Sequence, residues 1–96
     1  MGLPVHRLGD LCTGHGCFGS RPNAGASGNV LVNGLGVHRV GDPWQTHCCP
    51  SNGCHGAVQD SGSGTVFANG LPIARIGDSV SCGSRNQTGS ANVVAG

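Results

Sequence analysis

The sequence predicts a small all-β protein, three β-hairpins set about a pseudo-threefold axis and joined by long irregular loops. The main observation is a stretch that occurs three times. Gly2-Leu3-Pro4-Val5-His6-Arg7-Leu8-Gly9-Asp10 is followed by Gly34-Leu35-Gly36-Val37-His38-Arg39-Val40-Gly41-Asp42, and then by Gly70-Leu71-Pro72-Ile73-Ala74-Arg75-Ile76-Gly77-Asp78. Fixed self-similarity marks supersecondary units that cannot bury a core alone. The second observation is composition: 19 of the 96 residues are Gly, and neither Lys nor Glu occurs. Straight-chain helix formers are therefore scarce, while turn positions are abundant.

The elements follow in order. Asn29-Val30-Leu31-Val32-Asn33-Gly34 leads into the second copy and Thr65-Val66-Phe67-Ala68-Asn69-Gly70 into the third. Two apolar runs joined at Asn-Gly signal a hairpin, because a type I′ turn needs positive φ at both central residues. Hairpins are thus expected at Asn33-Gly34 and Asn69-Gly70. Asn92-Val93-Val94-Ala95 reads as a first strand without a second, and Leu3 to Leu8 as a second strand without a first. Pairing them gives a third, split hairpin and closes the ring, which removes exposed edges. The chain reads as one domain, 1–96, with repeat units of about 2–33, 34–69 and 70–96.

Within the repeat, both strand faces are partly apolar, so alternation leaves open which one points inward. His6 and His38 are expected as half-exposed strand residues. Arg7, Arg39 and Arg75 with Asp10, Asp42 and Asp78 read as structural ion pairs, since a catalytic site is rarely needed in triplicate. Asp60 reads as a solvated loop residue.

Only Trp44, Phe18 and Phe67 are aromatic, so a chain this short has little apolar area to bury and calls for a staple. The loops supply the material. His15 and His47 fall at the same offset from Asp10 and Asp42, and Cys82 falls one residue short of it from Asp78. Equivalent positions on three loops can converge on the axis, and the longest loop adds Cys48, Cys49, Cys54 and His55. His15, His47, His55 and Cys82 are the favoured ligands of a closed, structural zinc site. Such a site would supply folding free energy directly. Spacing supports a competing assignment, because Cys12-x4-Cys17 and Cys49-x4-Cys54 could form an all-Cys zinc site or two disulfides. The leftover cysteines would be buried small residues, or would pair in an oxidising space.

Several classes are disfavoured. A net charge of +1 with no basic patch argues against nucleic acid. No nucleophile-elbow pattern occurs, and four protein ligands leave a metal no open position, so an enzyme is not expected. The alternatives are a small zinc metallohydrolase and a disulfide-stapled extracellular module. No apolar run approaches a membrane span and no secretory signal is recognisable.

Pro72-Ile73-Ala74-Arg75 followed by Gly77-Asp78, with the Asn-Gly hairpins and the His-bearing loops, resembles the PAAR-repeat family, named for Pro-Ala-Ala-Arg. The resemblance runs over essentially the whole chain. Departures are Gly36 in place of Pro in the second copy, His6 and His38 in place of the second Ala, and the surplus cysteines. The resemblance implies a small cone that caps a trimeric β-helical spike, either the VgrG-type spike of type VI secretion or a contractile phage tail spike. It implies a zinc near the tip held by three His and one Cys, matching His15, His47, His55 and Cys82. It also implies contact with effector proteins and, transiently, with a target membrane. Synthesis in the cytoplasm, assembly onto the spike and ejection with it follow as expectations, as does the absence of a fused effector domain.

Overall fold

A computed structural model describes residues 2–96, and among these it is all-β with no helix. The three short hairpins form where the repeats place them. Strands β2 (Leu31–Val32) and β3 (Leu35–Gly36) pair antiparallel, as do β6 (Phe67–Ala68) and β7 (Leu71–Pro72). The third hairpin is split: β1 (Leu3–Pro4) pairs with β8 (Val94–Ala95), Leu3 facing Ala95 and Pro4 facing Val94. Asn33 and Gly34 have φ of 54° and 79°, and Asn69 and Gly70 have 54° and 78°. Both central residues of each turn are thus left-handed, as the type I′ geometry requires.

A buried serine precedes each hairpin. The hydroxyls of Ser27, Ser63 and Ser90 accept the N–H groups of Val30, Val66 and Val93, each at 2.9 Å. The backbone N–H groups of the same serines donate to Val37, Ile73 and Val5 across the hairpin. These bonds fix the point where each loop becomes a strand. They also explain Gly36. A Cβ there would lie 2.3 Å from the Ser27 carbonyl oxygen and 3.1 Å from the Ala26 Cβ. The other copies have Gly62 and Gly89 where this one has Ala26, so an added methyl on one strand is matched by a missing side chain on the other.

The hairpins join into a ring through the residues that follow their second strands. The N–H of His6 donates to Ala74 O (2.9 Å), that of Ala74 to His38 O (2.8 Å), and that of His38 to His6 O (3.1 Å), a closed cycle of three hydrogen bonds. The bridges Val5–Arg75, Arg7–Val37 and Arg39–Ile73 flank it. Inside lie Val5, Val37, Ala68, Ile73 and Ala95, with Val32 and Val93 packed against them. His6 and His38 are not half-exposed but wholly buried, at 0% exposure. Each strand leaves its hairpin to pair sideways with the next copy, so Val5 and His6, adjacent in sequence, are both enclosed. Neither face of this segment is a solvent face.

The Arg–Asp pairs are structural and repeat closely. In each copy the Asp Oδ2 accepts both the backbone N–H and the Nε–H of the Arg three residues earlier, while Oδ1 accepts from Nη2. Arg7 and Arg39 also donate to Asn33 and Asn69 in the turn of the next hairpin. One fork therefore pins the strand exit and ties two copies together.

The middle connection, expected to be irregular, folds instead as the longest hairpin. Strand β4 (Pro43–Cys49) pairs with β5 (Gly53–Val58), with an irregularity between Trp44 and His47. Trp44, from β4, stands over the ring, its indole 5.2 Å from the His6 imidazole and 5.3 Å from that of His38. Beyond it, Cys12 and Val80 complete a second apolar cluster, against which Ala57 and Cys82 pack. The chain thus stacks in layers, from the hairpins through the imidazole ring and Trp44 to the loops.

The two ring histidines make stability depend on pH. His6 Nδ1 donates to Thr88 O (2.7 Å) and His38 Nδ1 to Gly25 O (2.6 Å), leaving both Nε2 atoms buried without a partner among the described residues. Burial pushes the His6 pKa down from 6.5 to about 4, against the raising effect of the Thr88 bond, and burial also lowers that of His38. The unfolded chain therefore takes protons that the folded chain refuses. This contribution is complete above pH 6.5 and is lost as pH falls toward 4, about 3 kcal/mol for His6 alone. Denaturant titrations at pH 7, 6 and 5 should show falling stability in the wild type. His6→Ala, less stable at pH 7, should show a visibly flatter decline.

Candidate metal centre

Four side chains, one from each of two loops and two from the β4–β5 hairpin, meet beyond the second apolar cluster, in which Cys82 takes part. His15 sits in a tight turn closed by reciprocal backbone bonds with Phe18, of 3.0 and 2.9 Å, and flanked by Gly14 and Gly16 at positive φ. His47 and His55 face each other across β4 and β5. Cys82 occupies a turn in which Gly83 N–H donates to Val80 O and Val80 N–H to Ser84 O. One donor atom from each of the four lies within 4.8 Å of all the others.

The imidazoles turn the same nitrogen toward one point. His55 Nε2 lies 3.1 Å from His15 Nε2 and 2.7 Å from His47 Nε2. His47 Nδ1 donates to Gly19 O at 2.9 Å, so in its neutral form its Nε2 carries a lone pair. One proton on His55 Nε2 can serve only one of its two contacts; a shared cation satisfies all three lone pairs at once. Bonds of about 2.0–2.1 Å in a tetrahedron place nitrogens roughly 3.3 Å apart, close to the separations here. Anchoring of the far imidazole nitrogen on a carbonyl is the usual support for a metal-bound histidine.

Two residues that sequence reasoning passed over complete the surroundings. The Phe18 ring lies 4.9 Å from the His15 and His47 rings and 4.3 Å from that of His55, an apolar cap over the three imidazoles. Arg21 is buried; its Nε–H donates to Gln45 O, and Nη1 and Nη2 donate to the sulfurs of Cys12 and Cys82 at 3.1 and 3.3 Å. Its guanidinium also lies over the Trp44 ring, 5.3 Å from the centroid. Burial would raise the Cys82 pKa, but hydrogen bonds from Ser84 and Arg21 outweigh it and hold the value down to about 6. A thiolate is therefore available near neutral pH, which is the form a metal binds. The only cue to Arg21 in the sequence was an Arg outside the three Arg–Asp pairs. The cue to Phe18 was a lone aromatic near His15.

Four of the five remaining cysteines pair, though not by the C-x4-C spacing. Cys17 is joined to Cys49 and Cys48 to Cys54. Cys12 and Cys82 are free, Cys12 being wholly buried. Disulfides are thus present with other partners than the spacing indicated, and three cysteines of the all-Cys alternative, Cys17, Cys49 and Cys54, are engaged in them. The register of β4 and β5 sets one pairing directly, because Cys48 stands opposite Cys54.

Comparison with known proteins adds one match. A family model described as the PAAR motif covers residues 22–86, which includes the second and third copies of the repeat and three of the four donor side chains. Among curated proteins no match is found. With more than half of its length under that model, the chain belongs to the PAAR motif family.

Proposed function

We propose that this protein is a structural tip, a cone that caps a trimeric β-helical spike of the VgrG type or of a contractile phage tail and stiffens its point with zinc. The observation that carries the reading, beside family membership, is the chemistry of the hairpin end. Leu31, Phe67 and Val94 open the first strands of the three hairpins and are 59%, 55% and 59% exposed. Leu3, Leu35 and Leu71 open the second strands and are also exposed. A partner with true threefold symmetry would meet a similar apolar pair three times from one chain. Apolar side chains repeated in this way mark an interaction face. Strand edges at a blunt β-helical end would gain main-chain hydrogen bonds from such a cap.

At the opposite end His15, His47, His55 and Cys82 would hold one zinc. Three imidazoles and a thiolate suit that ion, and four protein donors leave no position for a substrate water. The ion would supply a rigid cross-link among three loops whose own cores are slight. The disulfides give the same end a covalent staple. What separates a spike tip from a free-standing stapled module is therefore the hairpin face and not the loops. Assembly onto the spike, ejection with it and carriage of effectors belong to the same reading.

Two experiments check it. Elemental analysis should find about one zinc per chain, and cobalt substitution should give the strong visible bands of a tetrahedral site. His47→Ala should lose the metal and lower Tm by at least about 10 °C, equivalent to roughly 2 kcal/mol in a domain of this size. A metal-free protein of unchanged Tm would remove the metal half of the proposal. For the other half, the double substitution Leu31→Asp with Phe67→Asp should abolish co-purification with a trimeric spike while zinc content stays the same. Undiminished capture would place the spike contact elsewhere.

A further inference from the structure

Four cysteines lie beside three of the candidate metal ligands. Cys48 follows His47, Cys54 precedes His55, Cys49 is two residues beyond His47, and Cys17 is two beyond His15. The two disulfides lie on opposite faces of one hairpin. Side chains alternate along a strand, so Cys49 shares the face of His47 while Cys48 points the other way. Cys48–Cys54 closes the hairpin one register step beyond the His47–His55 pair. Cys17–Cys49 spans a sequence separation of 32 and ties the loop that carries His15 and Phe18 to β4. Cys82, the fourth donor, has no such bond and is held by Arg21 instead.

We propose that Cys17, Cys49, Cys48 and Cys54 are positioning residues for the metal centre, and that it holds its metal tightly only with both disulfides closed. This rests on the reading of His15, His47, His55 and Cys82 as ligands. With the bonds closed, the loop of His15 and the hairpin of His47 and His55 are already gathered, and the ion need not oppose their loop-closure entropy. With Cys17–Cys49 open, that loop is released together with the Phe18 ring that covers the imidazoles. With Cys48–Cys54 open, the hairpin end can fray beside two ligands.

The bonds are open to exchange, since Cys17, Cys48 and Cys54 are exposed and only Cys49 is buried. A small dithiol attacks a disulfide sulfur and displaces the other as a thiolate. Its second thiol then attacks the mixed disulfide. Each protein cysteine ends with a proton, and the reductant is oxidised to its own disulfide. A reducing compartment would thus hold the protein with a loosely bound metal, and an oxidising one would lock it.

The test is the rate at which zinc passes from the folded protein to excess chelator. It is measured for wild type with both disulfides verified by mass, for Cys17→Ser with Cys49→Ser, and for Cys48→Ser with Cys54→Ser. Val37→Ala, in the apolar cluster beneath the ring, serves as a variant that weakens the fold without touching the clamps. Each cysteine double variant should release zinc at least about tenfold faster than wild type. Their cobalt forms should show shifted or weakened tetrahedral bands, and Val37→Ala should match wild type in both measurements. Equal release rates in all four proteins would overturn the inference and leave the metal reading standing. Equal acceleration in Val37→Ala would overturn it too, showing that the clamps act only through overall stability. Absence of zinc from the wild type would sink the metal reading, and this inference with it.

Discussion

Three backbone hydrogen bonds, from His6 to Ala74, Ala74 to His38 and His38 to His6, run in a closed circle between the three copies. None of the three repeat hairpins is long enough to stand by itself, since each has two residues per strand. The circle makes them one object. It lets Val5, Val37 and Ile73 share an interior and gives Trp44 a floor of imidazole to rest on. It also aims the three Arg–Asp forks so that each loop departs from an equivalent point. Removing one copy would open the ring and leave each of the other two with one neighbour in place of two.

The two ends of the stack then answer to different demands. At the hairpin end the apolar side chains that a closed ring cannot enclose point outward in threefold array. At the loop end the apolar material is a small cluster around Trp44 and the Phe18 ring, and much of the order comes from short-range chemistry: two disulfides, a buried guanidinium shared between two sulfurs, and four convergent donors. The division follows from composition. With three aromatic residues in the chain, one core cannot serve both ends.

Much of this was legible because it is written three times. The Asn-Gly turns, the split hairpin and the Arg–Asp pairs each have at least two copies to compare, and repetition also led to His15, His47 and Cys82. Most of what lacked a copy was missed, His55 from the longest loop being the exception. The β4–β5 hairpin contains the same Asn-Gly dipeptide, but it turns through Pro50-Ser51-Asn52, with Asn52 N–H bonded to Cys49 O and Gly53 opening β5. Its flanks, Thr46-His47-Cys48-Cys49 and Cys54-His55-Gly56, have none of the apolar run that made the others recognisable. The disulfide partners were hidden with it, because they follow from a register that spacing does not encode. The burial of His6 and His38 escaped for another reason: a segment enclosed on both faces has no polar-outward alternation to read. Arg21 and Phe18 act through contacts between loops, which no local pattern records.

The pairing of β1 with β8 has a bearing on how the molecule comes into being. Leu3 and Pro4 are made among the first residues of this sequence, and Val94 and Ala95 among the last. Until the latter emerge, β1 has no partner in its hairpin, and the circle through His6 has no completed edge to lean on. The ring therefore assembles from contacts between residues far apart in the chain, the kind of topology that folds slowly. The local Asn-Gly turns can form early. The shape that gives them meaning waits for β8, so β1 keeps an unpaired edge until Val94 and Ala95 have been made.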